Sequence, residues 1–282
     1  MIYSTLISTL ELAERLADAA WVVVDSRFSL NDSGRGRRDY LDAHIRGAVY
    51  AHLDDDLSGR TAAGETGRHP LPTIDEMAET FSSMGITDDV QVVVYDDAGG
   101  GIAARLWWML HFLGHDAVAV LDGGWPRWLG GGLPTRSGEE SNPGRVFSAR
   151  PREELIVDAS EVDDLRTRAD WRIIDAREGE RYRGEVEPID PVAGHIPGAL
   201  SAPFAQNLDR DGLFLKPEKL RRRFEEVVGA TPADRVVSYC GSGVTATHNV
   251  LAMAHAGLGY GRLYPGSWSE WITDPERPIE PA

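Results

Sequence analysis

Runs of consecutive apolar residues alternate with amphipathic segments along the whole chain. The run "WVVVD" (21–25) is continuous rather than alternating, which indicates a strand that is buried on both faces. Two segments with helical periodicity open with capping-box patterns, Ser8 followed by Glu11 and Asp158 followed by Glu161. This alternation of strand and helix predicts an α/β fold in which mostly parallel sheets are covered by helices on both faces.

Segments of the first half of the chain recur in the same order in the second half. The offset between matched residues stays between 143 and 151. Such a pattern predicts one domain duplicated in tandem. The matched segments are "LISTLELAERLADAAWVVVDSR" (6–27) with "LIVDASEVDDLRTRADWRIIDAR" (155–177), "AHIRGAVYA" (43–51) with "GHIPGALSA" (194–202), "VQVVVYDDAGGGIAARLWWML" (90–110) with "DRVVSYCGSGVTATHNVLAMA" (234–254), and "VLDGGWPRWL" (120–129) with "LYPGSWSEWI" (263–272).

The stretch between the two copies differs in composition from both of them. It is rich in Gly, Pro, Ser and charged residues, which predicts an inter-domain linker at residues 136–152. We therefore expect a first domain at residues 1–135 and a second at residues 153–282. A chain of 282 residues is long enough for two domains that each bury their own core.

Charge and cysteine content narrow the classes of function. The formal net charge of −16 argues against general binding to nucleic acids or to anionic membranes. The sequence has no apolar run long enough to cross a bilayer, and its N-terminus lacks the pattern of a signal peptide. One cysteine excludes a disulfide framework, and we expect a cytoplasmic protein. If the substrate is an anion, the site must supply a positive field locally.

The single cysteine, Cys240, opens the loop "CGSGVTA" between an apolar strand and the next helix. In an open α/β sheet, ligands bind beyond the carboxyl ends of the strands, which is where this loop begins. Gly241 and Gly243 allow successive backbone N–H groups to turn toward one point, and such a nest at a helix N-terminus stabilises an anion. A thiolate is such an anion and is the nucleophilic form of cysteine.

The duplication distinguishes a nucleophilic cysteine from a structural one. A free cysteine is often a small buried core residue, so the loop by itself allows that alternative. A core position would hold an apolar residue in both copies, whereas the matching residue of the first copy is Asp96. The difference favours a nucleophile in the second copy.

The duplicated layout resembles the tandem-domain rhodanese family of sulfurtransferases over nearly the whole chain. The resemblance rests on "HIRGA" and "HIPGA", "DSR" and "DAR", "GGWPRW" and "GSWSEW", and above all on "CGSGVTA". It implies two tandem rhodanese-like domains, of which the second is catalytic through Cys240 and the first is a degenerate, non-catalytic copy. Asp96 in the first copy fits that description.

The resemblance also implies a reaction in two steps. A small-molecule donor gives one sulfane sulfur to Cys240 and forms a persulfide, which an acceptor thiol or cyanide then removes. The thiol belongs to a thioredoxin-like protein or to a low-molecular-weight compound. Neither a cofactor nor a metal is implied, and the sequence has no His/Cys cluster with the spacing of metal ligands.

The residues after the cysteine resemble those of one subtype within the family. Mercaptopyruvate-preferring members typically carry Gly-Ser-Gly-Val-Thr there, whereas thiosulfate-preferring members typically carry cationic residues. In this chain the loop positions expected to bind substrate are Gly241, Gly243, Val244 and Thr245. We therefore expect 3-mercaptopyruvate as the donor, and a thiosulfate-preferring enzyme is the alternative.

Three further residues receive roles from the resemblance. Ser242 is expected to act in catalysis together with the cysteine and a first-domain histidine, His44, although His195 repeats that histidine in the second copy and a structural role is the alternative. Arg181 in "GERYRGEVEP" is expected to bind the keto acid. Ile189 stands where a second arginine is expected, and the loss of a bidentate guanidinium weakens recognition of a carboxylate.

Other classes of function are open at this point. A non-catalytic persulfide carrier or regulatory module would share the loop without rapid turnover. Some protein phosphatases share the fold, but their loop needs an arginine six residues after the cysteine, where this chain has Ala246. A papain-like hydrolase would need its own local motif around a histidine base, which the sequence lacks. Fold alone selects none of these functions.

Overall fold

The computed structural model describes residues 2–280, which divide into two compact units. Each unit holds one of the two copies that the duplication predicts. Unit 1 consists of the chain up to Gly59, Pro72–Arg152 and Arg210–Leu213, and unit 2 consists of Arg60–Leu71, Glu153–Asp209 and the chain from Phe214 onward.

The units depart from the predicted domain boundaries in two segments. Residues 136–152, expected to be a linker, lie in unit 1, where the buried ring of Phe147 packs edge-on against Phe81 at 5.6 Å. Residues 60–71 come from the first copy but lie in unit 2. The composition of both segments is that of a surface loop, which does not reveal the unit with which a loop packs.

The predicted alternation of strand and helix is present in unit 1. Its elements are β1 (Leu6–Ile7), α1 (Thr9–Ala13), β2 (Trp21–Asp25), α2 (Arg35–Asp42), β3 (His44–Ile45), β4 (Val49–Tyr50), α3 (Ile74–Ser83), β5 (Gln91–Tyr95), α4 (Ala103–Phe112), β6 (Val118–Leu121), α5 (Gly124–Gly130) and β7 (Thr135–Arg136).

Five strands of unit 1 form one parallel sheet in the order β1-β6-β5-β2-β4. Strands β3 and β7 form a separate antiparallel pair. Strand β5 is buried along its whole length, as its continuous apolar run predicts. The core cluster consists of Ile7, Leu12, Val23, Ile45, Ala48, Val93, Tyr95, Ala119, Leu121 and Trp128.

The same alternation is present in unit 2. Short 3₁₀ turns at Glu153–Leu155, Phe204–Asn207 and Ala233–Arg235 connect some of its elements. These elements are α6 (Ala159–Leu165), β8 (Arg172–Asp175), α7 (Gly179–Tyr182), β9 (Leu200–Ser201), α8 (Pro217–Val228), β10 (Val236–Tyr239), α9 (Ala246–His255), β11 (Arg262–Leu263) and α10 (Ser267–Trp271).

Unit 2 contains a four-stranded parallel sheet in the order β11-β10-β8-β9. The predicted α/β class with parallel sheets is therefore confirmed in both units. Strand β10 lies inside this sheet, so the loop that follows it starts at the carboxyl edge between two neighbouring strands. The core cluster consists of Val157, Ala159, Val162, Ile173, Ile196, Ala199, Val237, Tyr239, Tyr264, Trp268 and Trp271.

Both predicted capping boxes are present and begin the first α-helix of each copy. The Ser8 hydroxyl accepts from the N–H of Glu11 at 3.3 Å, and the Glu11 carboxylate accepts from the N–H of Ser8 at 3.1 Å. Asp158 and Glu161 make the same reciprocal pair before α6, at 2.8 and 2.9 Å. Each box satisfies two N–H groups that a helix start leaves without partners.

The repeated "DSR" and "DAR" motifs have the same structural role in the two units. The guanidinium of Arg177 donates to both carboxylate oxygens of Asp175, with a shortest distance of 2.6 Å, and also to the carbonyl of Gly194 at 2.8 Å. Arg27 and Asp25 repeat this pair in unit 1 at 2.7 Å. All four side chains are buried, so each pair ties the end of a central strand to the next conserved-looking turn of its own copy.

Candidate active site

Cys240 lies directly after β10 at the carboxyl edge of the unit 2 sheet. The residue is 2% exposed. Its N–H donates to the hydroxyl of Ser267 at 3.1 Å, and its carbonyl accepts from the N–H of Trp268 at 2.9 Å. The loop is therefore held against the start of α10, and the cysteine backbone cannot shift without breaking these bonds.

Two residues near the cysteine have backbone angles in the left-handed region. Gly243 has φ 75°, and a Cβ at this position would lie 2.2 Å from the carbonyl oxygen of Pro265, so only glycine fits. Ser267 has φ 56° and is the one non-glycine with positive φ among residues 2–280. Such a conformation costs on the order of 1 kcal/mol. The strain is located at the residue whose hydroxyl binds the N–H of Cys240.

The equivalent loop of unit 1 shows what this backbone shape binds. Asp96, which matches Cys240, is 1% exposed, and its two carboxylate oxygens accept four backbone N–H bonds of 2.8 Å each. Burial raises the pKa of Asp96 above its ordinary value, and the four N–H donors act in the opposite direction. The loop thus gathers four donors around one oxyanion. The donors are the N–H groups of Ala98, Gly100, Ile102 and Ala103.

The loop of unit 2 matches this arrangement at an offset of 144 residues. Gly99 and Gly243 occupy the same position of the two loops and have φ of 67° and 75°. The loop after Cys240 therefore offers equivalent donors to the sulfur that replaces the carboxylate of Asp96. The corresponding N–H groups belong to Ser242, Val244, Ala246 and Thr247.

The segment 60–71 brings a histidine to this loop. Nδ1 of His69 lies 2.8 Å from the hydroxyl oxygen of Ser242, and the two residues are 6% and 7% exposed. The N–H of Arg68 donates to the hydroxyl of Ser269 at 3.0 Å, which anchors the segment beside the loop. The structure therefore pairs Ser242 with His69, a residue that the sequence did not single out.

His44, the histidine expected to act with the loop serine, lies in β3 of unit 1. Its Nδ1 is 2.7 Å from the carbonyl of Tyr40, and its ring stacks on that tyrosine at 4.3 Å. His195 makes the same two contacts with Tyr182 in unit 2, at 2.8 and 3.9 Å. An arrangement that both copies share is typical of a structural role, and a catalytic role for His44 stays a prediction from the sequence.

Arg181 belongs to a row of alternating charges in unit 2. Its Nη2 is 2.8 Å from Oε1 of Glu187 and 3.1 Å from Oδ2 of Asp190. Asp190 also accepts a hydrogen bond from Nη1 of Arg68. These contacts hold Arg181 in one position, because several partners at once constrain a planar guanidinium. From the sheet to the loop, the row runs Asp175, Arg177, Glu187, Arg181, Asp190 and Arg68.

The two carboxylates next to Arg181 differ in their response to burial. Burial acts to raise the pKa of Glu187, but the hydrogen bonds from Arg181 and from backbone N–H groups outweigh it, so this pKa is lowered. Burial raises the pKa of Asp190 above its ordinary value, although Arg68 and Arg181 act in the opposite direction. Glu187 is therefore the firmer anionic anchor of Arg181.

The remaining substrate-binding predictions fall into two groups. Ile189, which stands where a second arginine was expected, is 43% exposed, and its N–H donates to Glu187 at 3.1 Å. That position thus belongs to the turn that orders Glu187. The four predicted glycine and small residues share one loop with the cysteine, and they are Gly241, Gly243, Val244 and Thr245.

Sequence reasoning missed Arg68 and His69, although one signal was available. The offset between the copies falls from 151 at His44 and His195 to 144 at the cysteine, so the first copy is longer by seven residues in between. The longer interval contains both missed residues. An insertion that carries an arginine and a histidine in adjacent positions was the only indication that this stretch has a function of its own.

Metal and membrane sites were also searched for in the described part of the chain. Among residues 2–280, no three His, Cys, Asp or Glu side chains are grouped so that they could hold a metal ion. No helix within the same residues is long and apolar enough to cross a membrane.

Comparisons with known proteins agree with the duplicated layout. A family model described as a rhodanese-like domain matches the chain twice, at residues 8–130 and 158–274. A probable 3-mercaptopyruvate sulfurtransferase of Pseudomonas aeruginosa is 48% identical over 275 residues, which cover 97% of each chain. A putative thiosulfate sulfurtransferase of Mycobacterium tuberculosis is 41% identical over 264 residues, which cover 91% of this chain and 89% of that relative.

Solved structures give the same result. A 3-mercaptopyruvate sulfurtransferase from Leishmania major matches with a TM-score of 0.83 at 32% identity, over 95% of this chain and 74% of that chain. The two tandem matches to the family model lie in the two copies that the sequence repeats. The resemblance found in the sequence is confirmed, and the chain belongs to the rhodanese family.

Proposed function

We propose that this sulfurtransferase works through a persulfide on Cys240, which takes one sulfane sulfur from an anionic donor and passes it to a thiol or to cyanide. The observation that carries the proposal is the match between Asp96 and Cys240 in two copies of one loop. In unit 1 the loop binds a carboxylate through four backbone N–H groups. The equivalent donors in unit 2 support a thiolate before transfer and a persulfide anion after it.

Each half-reaction makes one bond to sulfur and breaks another. The Cys240 thiolate attacks the thiol sulfur of 3-mercaptopyruvate, a sulfur–sulfur bond forms, and the carbon–sulfur bond of the donor breaks. The electron pair of that bond passes to carbon, which takes up a proton to give pyruvate. The acceptor thiolate then attacks the outer sulfur of the persulfide, and Cys240 leaves as the thiolate. The reaction needs no external oxidant or reductant.

Ser242 and His69 supply a route for the proton. The hydroxyl and the imidazole are 2.8 Å apart and buried, and Ser242 is two residues from the cysteine. A hydroxyl hydrogen-bonded to an imidazole can deliver a proton to the donor carbon and recover it from the histidine. We assign the pair this role in place of a direct role as nucleophile.

The keto acid is the donor that this site favours, and thiosulfate is the second. Gly241 brings no cation into the loop, so a sulfonate has no charged partner from the loop itself. Arg181 offers a guanidinium for a carboxylate. Of the two curated relatives described above, the one named for 3-mercaptopyruvate is the more similar, at 48% against 41% identity.

The acceptors and the compartment follow from the chemistry of the persulfide. Small thiols, a thioredoxin-like protein and cyanide are the nucleophiles that attack such a sulfur. Neither nucleic acids nor anionic membranes are partners, because a net charge of −16 repels both. The cytoplasm suits the reaction, since its thiol pool keeps a free cysteine reduced between turnovers.

Intact-mass spectrometry tests the proposal. Incubation with 3-mercaptopyruvate alone should add about 32 Da, one sulfur atom, to each chain, and a thiol acceptor should remove it. Cys240→Ser should lose both the adduct and turnover, since a hydroxyl is a far weaker nucleophile. More than about a tenth of wild-type turnover in that variant contradicts the assignment. An adduct that forms without steady-state turnover would instead indicate a persulfide carrier.

A further inference from the structure

Gly241, the residue after the cysteine, is a glycine for reasons of space rather than backbone angle. It is not among the glycines of residues 2–280 that have positive φ, so its conformation is open to other residues. A Cβ built on it would lie 2.8 Å from Nη2 of Arg68, and 3.5 and 3.6 Å from Nη2 and Nη1 of Arg181. Two guanidiniums therefore fill the place that a side chain at position 241 would take.

Both guanidiniums keep N–H groups that the described residues do not use. Arg68 donates through Nη1 to Asp190, and its Nε has no hydrogen-bond partner within residues 2–280. The described bonds of Arg181 go from Nε and Nη2 to Glu187 and Asp190. Nη2 of Arg68 and Nη1 of Arg181 are thus left for a ligand beside the loop.

Asp190 explains how two cations come to lie side by side. Like charges at this separation repel each other, and a carboxylate that binds both of them removes the repulsion. Its Oδ1 accepts from Arg68 and its Oδ2 from Arg181 at 3.1 Å. The side chain of Asp190 is 2% exposed, whereas that of Arg68 is 29% exposed. The carboxylate is therefore the buried support, and the guanidinium is the part that an incoming molecule reaches.

We propose that Arg68 is the second cationic residue of the donor site and that it binds the anionic oxygens of the sulfur donor together with Arg181. The assignment rests on the proposed function and supplies the cation that Ile189 does not. It also makes residues 68 and 241 mutually exclusive. A chain with a large residue at position 241 has no room for the guanidinium, and a chain with Gly241 receives its cation from the segment 60–71.

Alkylation of Cys240 tests the inference without any sulfur transfer. The protein has one cysteine, so its rates with anionic iodoacetate and neutral iodoacetamide report on one thiol. The two reagents are similar in size, and their rate ratio reflects the positive field next to the sulfur. Arg68→Ala and Arg68→Gln should both lower the iodoacetate-to-iodoacetamide ratio about threefold or more. Arg183→Ala is the matched control, because Arg183 is paired with Glu185 and exposed, and it should leave the ratio unchanged.

Steady-state kinetics give the second measurement. Arg68→Ala should lower kcat/KM for the anionic donor about ten- to a hundredfold and leave KM for the acceptor unchanged. Introducing Gly241→Arg into the Arg68→Ala variant should restore the alkylation ratio, since the cation then comes from the loop. Circular dichroism checks that each variant is folded.

The two levels of the argument fail in different ways. A wild-type protein that transfers no sulfur overturns the proposed function, and the alkylation ratio still decides the role of Arg68. Arg68→Ala and Arg68→Gln variants whose ratio and donor kcat/KM stay within about twofold of wild type overturn the assignment of Arg68, since loss of a contacting charge has a larger effect.

Discussion

The hydroxyl oxygen of Ser242 lies 2.8 Å from Nδ1 of His69, although the two residues are 173 positions apart in the chain. Both lie in unit 2, because the segment that carries His69 packs with the second copy rather than the first. The contact joins a residue of the cysteine loop to an imidazole, which is the one common side chain that exchanges protons readily near neutral pH. A proton route next to Cys240 follows from it.

Ser242→Ala and His69→Gln should each lower kcat with 3-mercaptopyruvate about ten- to a hundredfold, because each removes one member of the proton route. The KM of the donor should change little, since neither side chain supplies the cation for the donor. Ser238→Ala is the control, because the Ser238 hydroxyl is buried nearby but donates to the carbonyl of Ala246 at 3.0 Å. Equal losses in Ser238→Ala and Ser242→Ala would show that the effect is structural.

His44→Gln separates the two histidines that compete for this role. The buried ring of His44 packs on Tyr40 within unit 1, so the variant should lose about 1–3 kcal/mol of unfolding free energy by urea titration. Its kcat per folded chain should stay within about threefold of wild type. A loss of kcat as large as that of His69→Gln, at unchanged stability, would restore His44 as the catalytic histidine.

Asp96→Ala should destabilise the protein without removing its activity. The change leaves four buried N–H groups without an acceptor, and the unfolding free energy should fall by at least about 3 kcal/mol. The kcat per folded chain should change less than about tenfold, because the persulfide forms in the other copy. Asp97→Ala, which removes a partly exposed ion pair with Arg35, is the control and should cost less than about 1 kcal/mol. A stable but inactive Asp96→Ala protein is the result that this account does not allow.

Arg177→Ala should be one of the most damaging single changes in unit 2. The guanidinium is buried against Asp175, and its removal leaves an uncompensated carboxylate in the core, so we expect a loss of about 3–5 kcal/mol. Urea unfolding measures the change. Arg183→Ala removes an arginine whose partner Glu185 is exposed, and it should leave the unfolding free energy almost unchanged. Similar losses in both variants would argue against a special role for the buried pair.

Ile189→Arg should matter only when Arg68 is absent. In the wild-type background the donor site already has two guanidiniums, so kcat/KM for 3-mercaptopyruvate should change less than about threefold. In the Arg68→Ala background the new arginine should recover at least about tenfold of the lost kcat/KM, because it returns the missing charged hydrogen bonds. Equal improvement in both backgrounds would mean that the two positions act independently.

The sequence by itself determined the features that depend on neighbouring residues. Continuous apolar runs predicted the parallel strands, and the residue pairs Ser8–Glu11 and Asp158–Glu161 predicted two helix starts that the structure contains. The duplication could be seen because both copies keep the same order of strand, glycine loop and helix. The comparison of Asp96 with Cys240 then placed the chemistry in the second copy. Each of these signals lies within a few residues of the chain or in its repetition, so no tertiary contact was needed to find it.

Only the tertiary structure decided which distant side chains meet at the cysteine loop. Arg68 and His69 lie in a segment without periodicity, and nothing in its sequence reveals that it packs with the second copy. The sequence pointed to His44 because its motif is repeated, but repetition marks the contacts that both copies share, such as the stacking of His44 on Tyr40. A site that only one copy has must be built from what the copies do not share. Its partners are selected by the path of an inserted loop, which depends on packing in three dimensions rather than on local residue preference.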